Sequence, residues 1–521
     1  MTEAADRLLI DAAIHSLTEP DTVHDAMATR DGDIVRLGRR EEVEFLEGVE
    51  TDVIDCGGRV VLPGFVDAHT HMEQLGQHLV HADLSRAESA AECLDRLCDR
   101  LESSEDGEWI QGFGYDESAW DDARTQPLTR DDLDQVATER PVVAMRVDLH
   151  TASLNTAALE YFAGEVPEDD LRYEHGEPNG IVVEDGAERV RTELTADREE
   201  MNAVLSAATG RAVELGVTGV HDKVRNSRAP QVYRELAAEG DLPLRVRIDY
   251  WSDHLESLVD VGLTTNAGDE RVQTGAIKSF SDGSLGSRTA KLSEHYHDAQ
   301  GGESDDGRGQ WVVDPDDLES LLTRADDEGF QLSVHAIGDE AIEETLAVLE
   351  STDDPEAARH RIEHAELATD DQLERMADAG IVASMQPNFH RWAQEGGLYD
   401  QRLGLERRNR TNRFRDVLEA GVPLAFGSDG MPLDPLFGVH HAVNAPTDAQ
   451  ALSVTEALRA YTNGAAYAGF DDERLGTLEV GKRADFVVLE ESPWEHSGRI
   501  EEIDVAMTAV SGEIVHDALE R

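Results

Sequence analysis

Short apolar segments alternate with amphipathic segments through most of the chain. The apolar segments are rich in Val, Ile, Leu and Phe, as buried parallel strands are, and many of the intervening segments have the apolar spacing of helices. The predicted helices include 229–239, 316–328, 339–350 and 370–379. The predicted strands are 60–71, 217–221, 244–250, 275–280, 331–335, 361–364, 381–385 and 423–427. Strands that alternate with helices in this number predict the α/β class and a (β/α)8 TIM barrel.

Both ends of the chain have a different pattern, of short strands separated by turns. The N-terminal candidates are 8–13, 26–29, 34–37 and 53–55, and the C-terminal candidates are 484–489, 505–510 and 514–515. Neither set is large enough for a stable sheet, so we expect the two ends to pair into one small β-domain. The expected division is 1–60 and 471–521 for this β-domain and 61–470 for the barrel.

Two connections within the barrel are unusually long. The first exceeds what one crossover helix needs, and it predicts an inserted subdomain at about 73–200. The second, 296–312, is rich in Gly, Asp and Gln, which predicts a loop over the mouth of the barrel.

The charge of the chain is extreme, because 46 Lys and Arg against 110 Asp and Glu give a formal net charge of −64. A protein that binds nucleic acid needs a basic surface, so this class is excluded. The only lysines are Lys223, Lys278, Lys291 and Lys482. An acidic, lysine-poor surface predicts adaptation to the salt-rich cytoplasm of a halophile, where screening reduces self-repulsion. The three cysteines make no disulfide framework and no stretch of about 18 apolar residues occurs, so we expect a cytoplasmic protein without a membrane partner.

The candidate chemistry lies where the predicted strands end. His69 and His71 follow an apolar strand, and residues two apart on a strand point to the same side, so both imidazoles can reach one metal ion. A lone pair of this kind is more often structural, and each later candidate alone is typical of a core histidine or a turn residue. Active sites of such barrels, however, lie at the carboxyl ends of the strands. Four more ligand-type residues stand there and together predict a metal site: Lys278, His335, His364 and Asp429.

Lys278 is the most informative of these residues. It lies within the apolar strand 275–280 of a chain that has almost no lysine, and a buried ammonium beside metal cations would be costly. One interpretation is an ion pair with a carboxylate such as Asp282. The other is that CO2 has carboxylated the amine, which gives an anionic carbamate whose two oxygens can bridge two cations.

Sequence motifs along nearly the whole chain carry a family resemblance. The first is Pro63-Gly-Phe-Val-Asp-Ala-His-Thr-His71. The others are Gly112–Asp116, His150–Asn155, Gly216–Asp222, Lys278–Arg288, His335–Asp339, Arg361–Ala365, Met385–Pro387, Phe426–Gly430, Tyr461–Gly464 and Leu478–Asp485. With these motifs in this order, the chain resembles the amidohydrolase superfamily and, within it, amidohydrolase family 3, the YtcJ-like branch that includes N-substituted formamide deformylases.

The resemblance implies a metal-dependent hydrolase that cleaves a non-peptide carbon–nitrogen bond with a metal-activated hydroxide. It also implies that the chain ends form a composite β-sandwich. Zinc is the expected metal, with two ions per chain, although Mn, Fe or Co would suit the same ligands. Asp429 would be both a ligand and the catalytic general base. The more buried metal would be bound by His69, His71 and Asp429, and the second by His335 and His364, with carboxylated Lys278 as the bridge.

The substrate stays open beyond a small-molecule amide. His150 and Asn155 match a motif that borders the pocket in the family, although turn and cap roles suit them equally. Arg288 can bind a carboxylate or carbonyl of the substrate, or it can pair with an acidic side chain. His390 follows the Met385–Pro387 segment and can face the mouth of the barrel. A homodimer is the expected assembly.

Two alternatives to a binuclear amidohydrolase remain. A mononuclear deaminase on the same barrel would use the His-x-His pair, a third histidine and Asp429. Its proton shuttle would be Glu363 or Glu366, and Lys278 would have no purpose. A non-catalytic scaffold would have kept the barrel and lost ligands, yet none of the ligands is missing. The metal count separates the two enzymes.

Overall fold

The computed structural model describes residues 3–105, 107–120, 126–148, 150–299 and 307–519. The chain divides into two compact units. The larger unit contains Met1–Met72, Thr209–Asn226 and Tyr233–Arg521, and the smaller contains Glu73–Ala208 and Ser227–Val232. Among the helices that the structure describes, none has the length and apolar character needed to span a membrane.

The larger unit is built on a barrel. Its sheet joins eight strands of the described chain in sequence order, and every neighbouring pair is parallel. Just beyond the last strand, the Asp429 N–H donates to His69 O at 2.7 Å, which brings the last strand back to the first. The (β/α)8 barrel predicted from the sequence is therefore confirmed. We number its strands β1 to β8: Phe65–Thr70, Val217–Val224, Arg245–Trp251, Val272–Phe280, Leu332–Ala336, Arg361–His364, Val382–Met385 and Leu424–Phe426.

Helices connect the barrel strands where the sequence predicts them. Capping residues explain both ends of the helix Asp370–Ala379. Thr369 Oγ1 accepts from the Gln372 N–H at its start, and Gly380 ends it in the left-handed region. The four predicted helices are observed at Ala229–Glu239, Pro315–Asp327, Asp339–Leu349 and Asp370–Ala379. Other helices with residues in this unit are Arg40–Val43, Arg198–Glu214, Leu255–Asp260, Pro355–Ala358, Leu398–Arg408, Phe414–Glu419, Pro435–Val443, Val454–Arg459 and Ala465–Ala468.

Two further sheets of the larger unit are formed from the chain ends. One has the order Asp33–Gly38, Ala26–Arg30, Arg7–Ile10, Asp52–Asp55. The other has the order Glu513–Asp517, Val505–Val510, Phe486–Leu489, Val60–Pro63, Ala13–His15, Val23–His24, and so mixes strands from both ends. Buried side chains of both sheets, such as Leu9 and Met27 from the first and Val61 and Phe486 from the second, share one apolar core. The two sheets form a sandwich, as the resemblance implies.

Two predicted strands each prove to be two strands. The segment 8–13 breaks at Asp11, which has a φ of 50°, and its halves lie in different sheets of the sandwich. The segment 60–71 breaks at Gly64, where the chain leaves the sandwich and enters the barrel. A Cβ at Gly64 would lie 2.3 Å from the Thr218 side chain, so only glycine fits this close approach. Alternation of apolar residues cannot show such a change of sheet.

The smaller unit has its own mixed sheet, of order Leu171–Glu174, Glu177–Val183, Thr151–Leu154, Val142–Arg146, Ile110–Tyr115, Ala82–Asp83. Its remaining helices are Ala90–Ser103, Arg130–Leu133, Thr156–Tyr161 and Glu184–Glu193, and Met72–Val80 begins at the boundary. Within the predicted mouth loop at 296–312, residues 300–306 lie outside the described residues.

Candidate metal centre

The predicted ligands converge at the carboxyl ends of the barrel strands. The atoms of His69, His71 and Asp429 that can bind a metal all lie within 4.8 Å of one another. Asp429 Oδ1 lies 3.4 Å from His69 Nε2 and 3.1 Å from His71 Nε2. The ring of His364 lies 4.9 Å from that of His69 and 4.4 Å from that of His335, measured between centroids. Four imidazoles and one carboxylate therefore meet in one place among the described residues.

Hydrogen bonds orient three of these imidazoles. His69 Nδ1 lies 2.6 Å from Glu363 Oε2, and His364 Nδ1 lies 2.6 Å from Gln386 Oε1. In His335 the nitrogen that forms the hydrogen bond is Nε2 instead of Nδ1, and it donates to Gly283 O at 2.9 Å. Metal-binding histidines are commonly held in this way, by a bond from the nitrogen that does not bind the metal. The nitrogens left for a cation are Nε2 of His69 and His364 and Nδ1 of His335.

Burial keeps these imidazoles neutral, which a metal ligand must be. It lowers the pKa of His364 to about 4 and lowers the pKa values of His69 and His335 well below the usual value. The Asp429 carboxyl behaves in the opposite way. Burial would raise its pKa, but the hydrogen bond from His71 holds the pKa well below its usual range. Asp429 is therefore an anionic ligand at neutral pH.

A tight turn presents Asp429 to the histidines. Its φ of 56° lies in the left-handed region, which aspartate tolerates better than most residues. Asn388 stabilises the turn from both sides, because its Nδ2 donates to Ser428 O at 2.8 Å and to Met431 O at 2.6 Å. The Ser428 N–H in turn donates to Asp67 Oδ1 at 3.0 Å. The position of Asp429 is thus set by residues that lie within or just after three different barrel strands.

Lys278 is buried beside these ligands, and no carboxylate of the described residues forms an ion pair with it. Its exposure is 1%, and none of the described residues accepts a hydrogen bond from its Nζ. The sequence interpretation that pairs it with Asp282 is not supported, because Asp282 accepts instead from the backbone N–H groups of Lys291, Ile337 and Gly338. Burial lowers the pKa of Lys278 to about 7, despite the carboxylates of Glu363 and Asp429.

The donor set fits divalent cations. Imidazole nitrogens with a carboxylate oxygen are the ligands that Zn, Mn, Fe and Co take in proteins. An unsatisfied amine in the same cluster costs free energy unless another group completes it. These observations support the set of metal ligands that the sequence predicts, and its assignment remains a proposal.

Each of the four predicted substrate residues has contacts with residues outside this cluster. His150 is exposed in the smaller unit, near Glu184. Asn155 is buried there and caps a helix, since its Oδ1 accepts from the Ala158 N–H at 2.9 Å. Arg288 makes a two-point ion pair with Asp298, at 3.0 and 2.8 Å. His390 is buried against Phe414, with its Nδ1 3.4 Å from His441 O. These contacts match the cap and ion-pair interpretations of Asn155 and Arg288.

Two residues that orient the histidines were not predicted for that task. Glu363 was considered only as a proton shuttle, and Gln386 only as part of a motif. A signal existed for Glu363, because residues two apart on β6 share a face, which places Arg361 and Glu363 together. No local pattern links either residue to its histidine, since 294 positions separate Glu363 from His69.

Comparison with known proteins agrees with the fold. The chain is 29% identical to the putative amidohydrolase YtcJ of Bacillus subtilis (strain 168), over 97% of this chain and 98% of that protein. It is 27% identical to the N-substituted formamide deformylase of Arthrobacter pascens, over 98% of each. The structure is similar to an uncharacterized metal-dependent hydrolase from Pyrococcus horikoshii OT3, with a TM-score of 0.79 and 30% identity, over 94% of this chain and 99% of that one.

Fold, ligand cluster and relatives together define the class, which is that of metal-dependent hydrolases on a (β/α)8 barrel. More particularly, the chain belongs to the amidohydrolase family, whose model matches residues 52–516.

Proposed function

We propose that this enzyme hydrolyses a non-peptide amide bond at a binuclear metal centre bridged by carboxylated Lys278. The observation that carries the proposal is a lysine buried among four imidazoles and Asp429, for which the described part of the chain offers no hydrogen-bond acceptor. His69 and His71 would hold one cation with Asp429, and His335 and His364 the other. When bound, the cations supply the Lewis acidity that activates water near neutral pH and polarises the substrate carbonyl.

The bridge follows from the environment of Lys278. Its nitrogen attacks the carbon of CO2, and one N–H proton leaves to solvent, so that a neutral amine becomes an anionic carbamate. A pKa of about 7 leaves much of the amine neutral and nucleophilic at neutral pH. Lys223, on the barrel strand β2, differs from Lys278 because it forms an ion pair with Asp249. Within the barrel strands that the structure describes, Lys278 is therefore the lysine that no carboxylate engages.

Asp429 is the proton carrier of the proposed reaction. Its carboxylate stays ionised between turnovers, because its pKa is held low, and it faces the point where the imidazoles converge. It accepts the proton of the attacking water on Oδ and delivers it to the amide nitrogen as the C–N bond breaks. Phe280 lies against His335 and Phe389 against His364, which favours an apolar substituent on the substrate.

A mononuclear deaminase is the alternative. It requires a free carboxyl group beside one of the later histidines. Glu363 already binds the far side of His69 and accepts from Ser333 Oγ at 2.6 Å. Glu366 is buried and its carboxyl interacts with Tyr399 and Asn412. Since both candidates have other partners, the binuclear hydrolase is favoured.

Metal content per chain tests the proposal. We expect about two equivalents in protein purified in roughly 1 M salt without chelators, since such salt screens most surface repulsion. Lys278→Met should bind one equivalent or less, while Lys482→Met, which removes a lysine from outside the barrel, should keep the full content. After exposure to labelled bicarbonate, the wild-type protein and Lys482→Met should show a carbamate carbon by 13C NMR, and Lys278→Met should not. About one metal equivalent without a carbamate signal would favour the deaminase. If two equivalents and the carbamate are found, a screen of N-acyl and N-formyl amines as substrates follows.

A further inference from the structure

A group of buried charges inside the barrel lies beside the metal site and takes no part in the proposed chemistry. It consists of Lys223 on β2, Asp249 on β3, and Arg361 and Glu363 on β6, and none of their side chains is exposed. Lys223 Nζ pairs with Asp249, and Arg361 Nη2 lies 2.8 Å from Glu363 Oε1. Longer contacts of 3.8 Å from Lys223 to Glu363 and 3.7 Å from Arg361 to Asp249 complete the group, which we call the charge network.

The charge network binds the backbone next to His69. Lys223 Nζ donates to Ala68 O at 3.3 Å, and Arg361 Nη2 donates to the same oxygen at 2.5 Å. Ala68 immediately precedes His69 on β1. The side chains of Lys223 and Arg361 therefore both donate to one carbonyl, and this limits the movement of the peptide that carries His69.

The charge network also holds the His69 ring. Glu363 Oε2 lies 2.6 Å from His69 Nδ1, on the side away from Asp429. The position of the Glu363 carboxylate is fixed by Arg361 Nη2 at 2.8 Å and Ser333 Oγ at 2.6 Å, both on Oε1. Backbone and ring of the same ligand are thus held by one connected set of side chains.

Such a network is costly, and packing alone does not require it. The interior of a barrel of this kind is usually filled by branched apolar side chains, and burying an ion costs free energy that pairing must offset. Lys223, one of the four lysines of the chain, belongs to this network. A group that costs free energy and converges on one ligand is better explained by that ligand than by stability.

We propose that Lys223 and Arg361 are positioning residues of the metal centre. They hold the Ala68 carbonyl and, for Arg361, the Glu363 carboxylate, so that His69 Nε2 stays directed at Asp429 and at the cation. This inference rests on the proposed metal site, and it concerns how strongly that site binds rather than which reaction follows.

The test measures zinc affinity by competition with a chromophoric chelator. Lys223→Met keeps the length of the side chain and removes its charge and its donor, and Lys482→Met is the matched control outside the network. Loss of a group that orients a metal ligand typically weakens binding about 10- to 100-fold. We expect that loss for Lys223→Met and no change for Lys482→Met. The thermal midpoint of the metal-free protein is measured in parallel, because a purely structural role would lower it without changing the zinc affinity of the folded protein.

A second variant covers the case in which Lys223→Met does not fold. Ser333→Ala removes one donor to Glu363 from a fully buried site without leaving a charge unpaired, and it should weaken zinc binding about 2- to 10-fold. Zinc affinity within twofold of wild type in every folded variant would overturn the positioning role and leave the proposed function intact. If the wild-type protein itself binds no divalent metal, the proposed function fails and this inference fails with it.

Discussion

Asp429 shows how one residue combines two tasks at this site. It contacts the Nε2 atoms of His69 and His71 at 3.4 and 3.1 Å, and its backbone N–H donates to His69 O. The same turn that gives it a left-handed φ therefore joins the last barrel strand to the first. A side chain fixed at this seam can bind a cation and exchange a proton with a substrate without a rearrangement of the backbone.

The substitution Asp429→Asn tests this dual role. The amide keeps the size of the side chain but cannot accept the proton, so kcat should fall by at least about 10²- to 10⁴-fold, the usual contribution of a general base. The circular dichroism spectrum should be unchanged and at least one metal should remain, because His335 and His364 are intact. Asp25→Asn, at an exposed aspartate, serves as the control. A variant that retains more than about a tenth of the wild-type rate would rule out the role of proton carrier.

At the scale of elements, the ends of the barrel strands contain buried polar groups that tie neighbouring strands together. His360, just before β6, is an example: its Nδ1 accepts from the Leu332 N–H at 3.1 Å, at the start of β5. Its Nε2 lies 3.1 Å from Asp326 Oδ1. Burial nevertheless dominates and lowers the pKa of His360 from 6.5 to about 4.

This shift makes stability depend on pH. Between pH 6.5 and 4 the unfolded chain binds a proton at His360 that the folded chain does not. The free energy of unfolding is therefore unaffected by His360 above pH 6.5 and decreases as the pH falls below it. The loss at pH 5 is of the order of 2 kcal/mol. His360→Asn keeps an acceptor for the Leu332 N–H and removes the titration. Its free energy of unfolding in urea should therefore fall less than that of wild type between pH 7.5 and 5.

The exposed His295 provides the control for this experiment, because His295→Asn should leave the pH dependence as in wild type. All unfolding curves are recorded at one high salt concentration, so that screening of the other charges stays constant. If the free energies of unfolding of wild type and His360→Asn decreased equally with pH, burial of His360 would not contribute to the pH dependence of stability.

At the scale of the whole molecule, the net charge of −64 opposes the compact state. Ion pairs offset part of it, as where Arg375 contacts Glu343 and Glu350 at 2.8 Å each. Since acidic residues outnumber basic ones by more than two to one, most carboxylates have no cation of the protein to pair with. Mobile cations must supply the remaining screening.

Stability should therefore depend on salt. On dialysis from about 2 M to about 0.1 M salt the screening length grows several-fold, and we expect loss of activity together with loss of the circular dichroism signal. Sucrose at equal osmolality should not protect the protein, because it adds no screening ions. Full activity after prolonged dialysis into low salt would contradict the prediction and the halophilic interpretation of the composition.

Local patterns in the sequence were sufficient for the barrel and for candidate ligands. Most barrel strands are rich in apolar residues, because both faces of such a strand are buried, and the predicted ligands stand near the carboxyl ends of five of them. Lys278 could be singled out because the chain contains so few lysines. Domain boundaries, the number of metal ions and the carbamate stay predictions, since no contact between described residues reports on them directly.

Contacts between distant segments were decided by the tertiary structure alone. Gly64 lies between two strands at a point where Thr218 occupies the space of a Cβ, and no residue near Gly64 in the sequence reveals this. Likewise Glu363 binds His69 across 294 positions, and Arg288 meets Asp298 instead of the ligand cluster. The sequence determines which residues can be buried or can bind a metal, through periodicity and side-chain chemistry. Which of them meet depends on closure of the barrel, a property of the whole chain that local patterns do not encode.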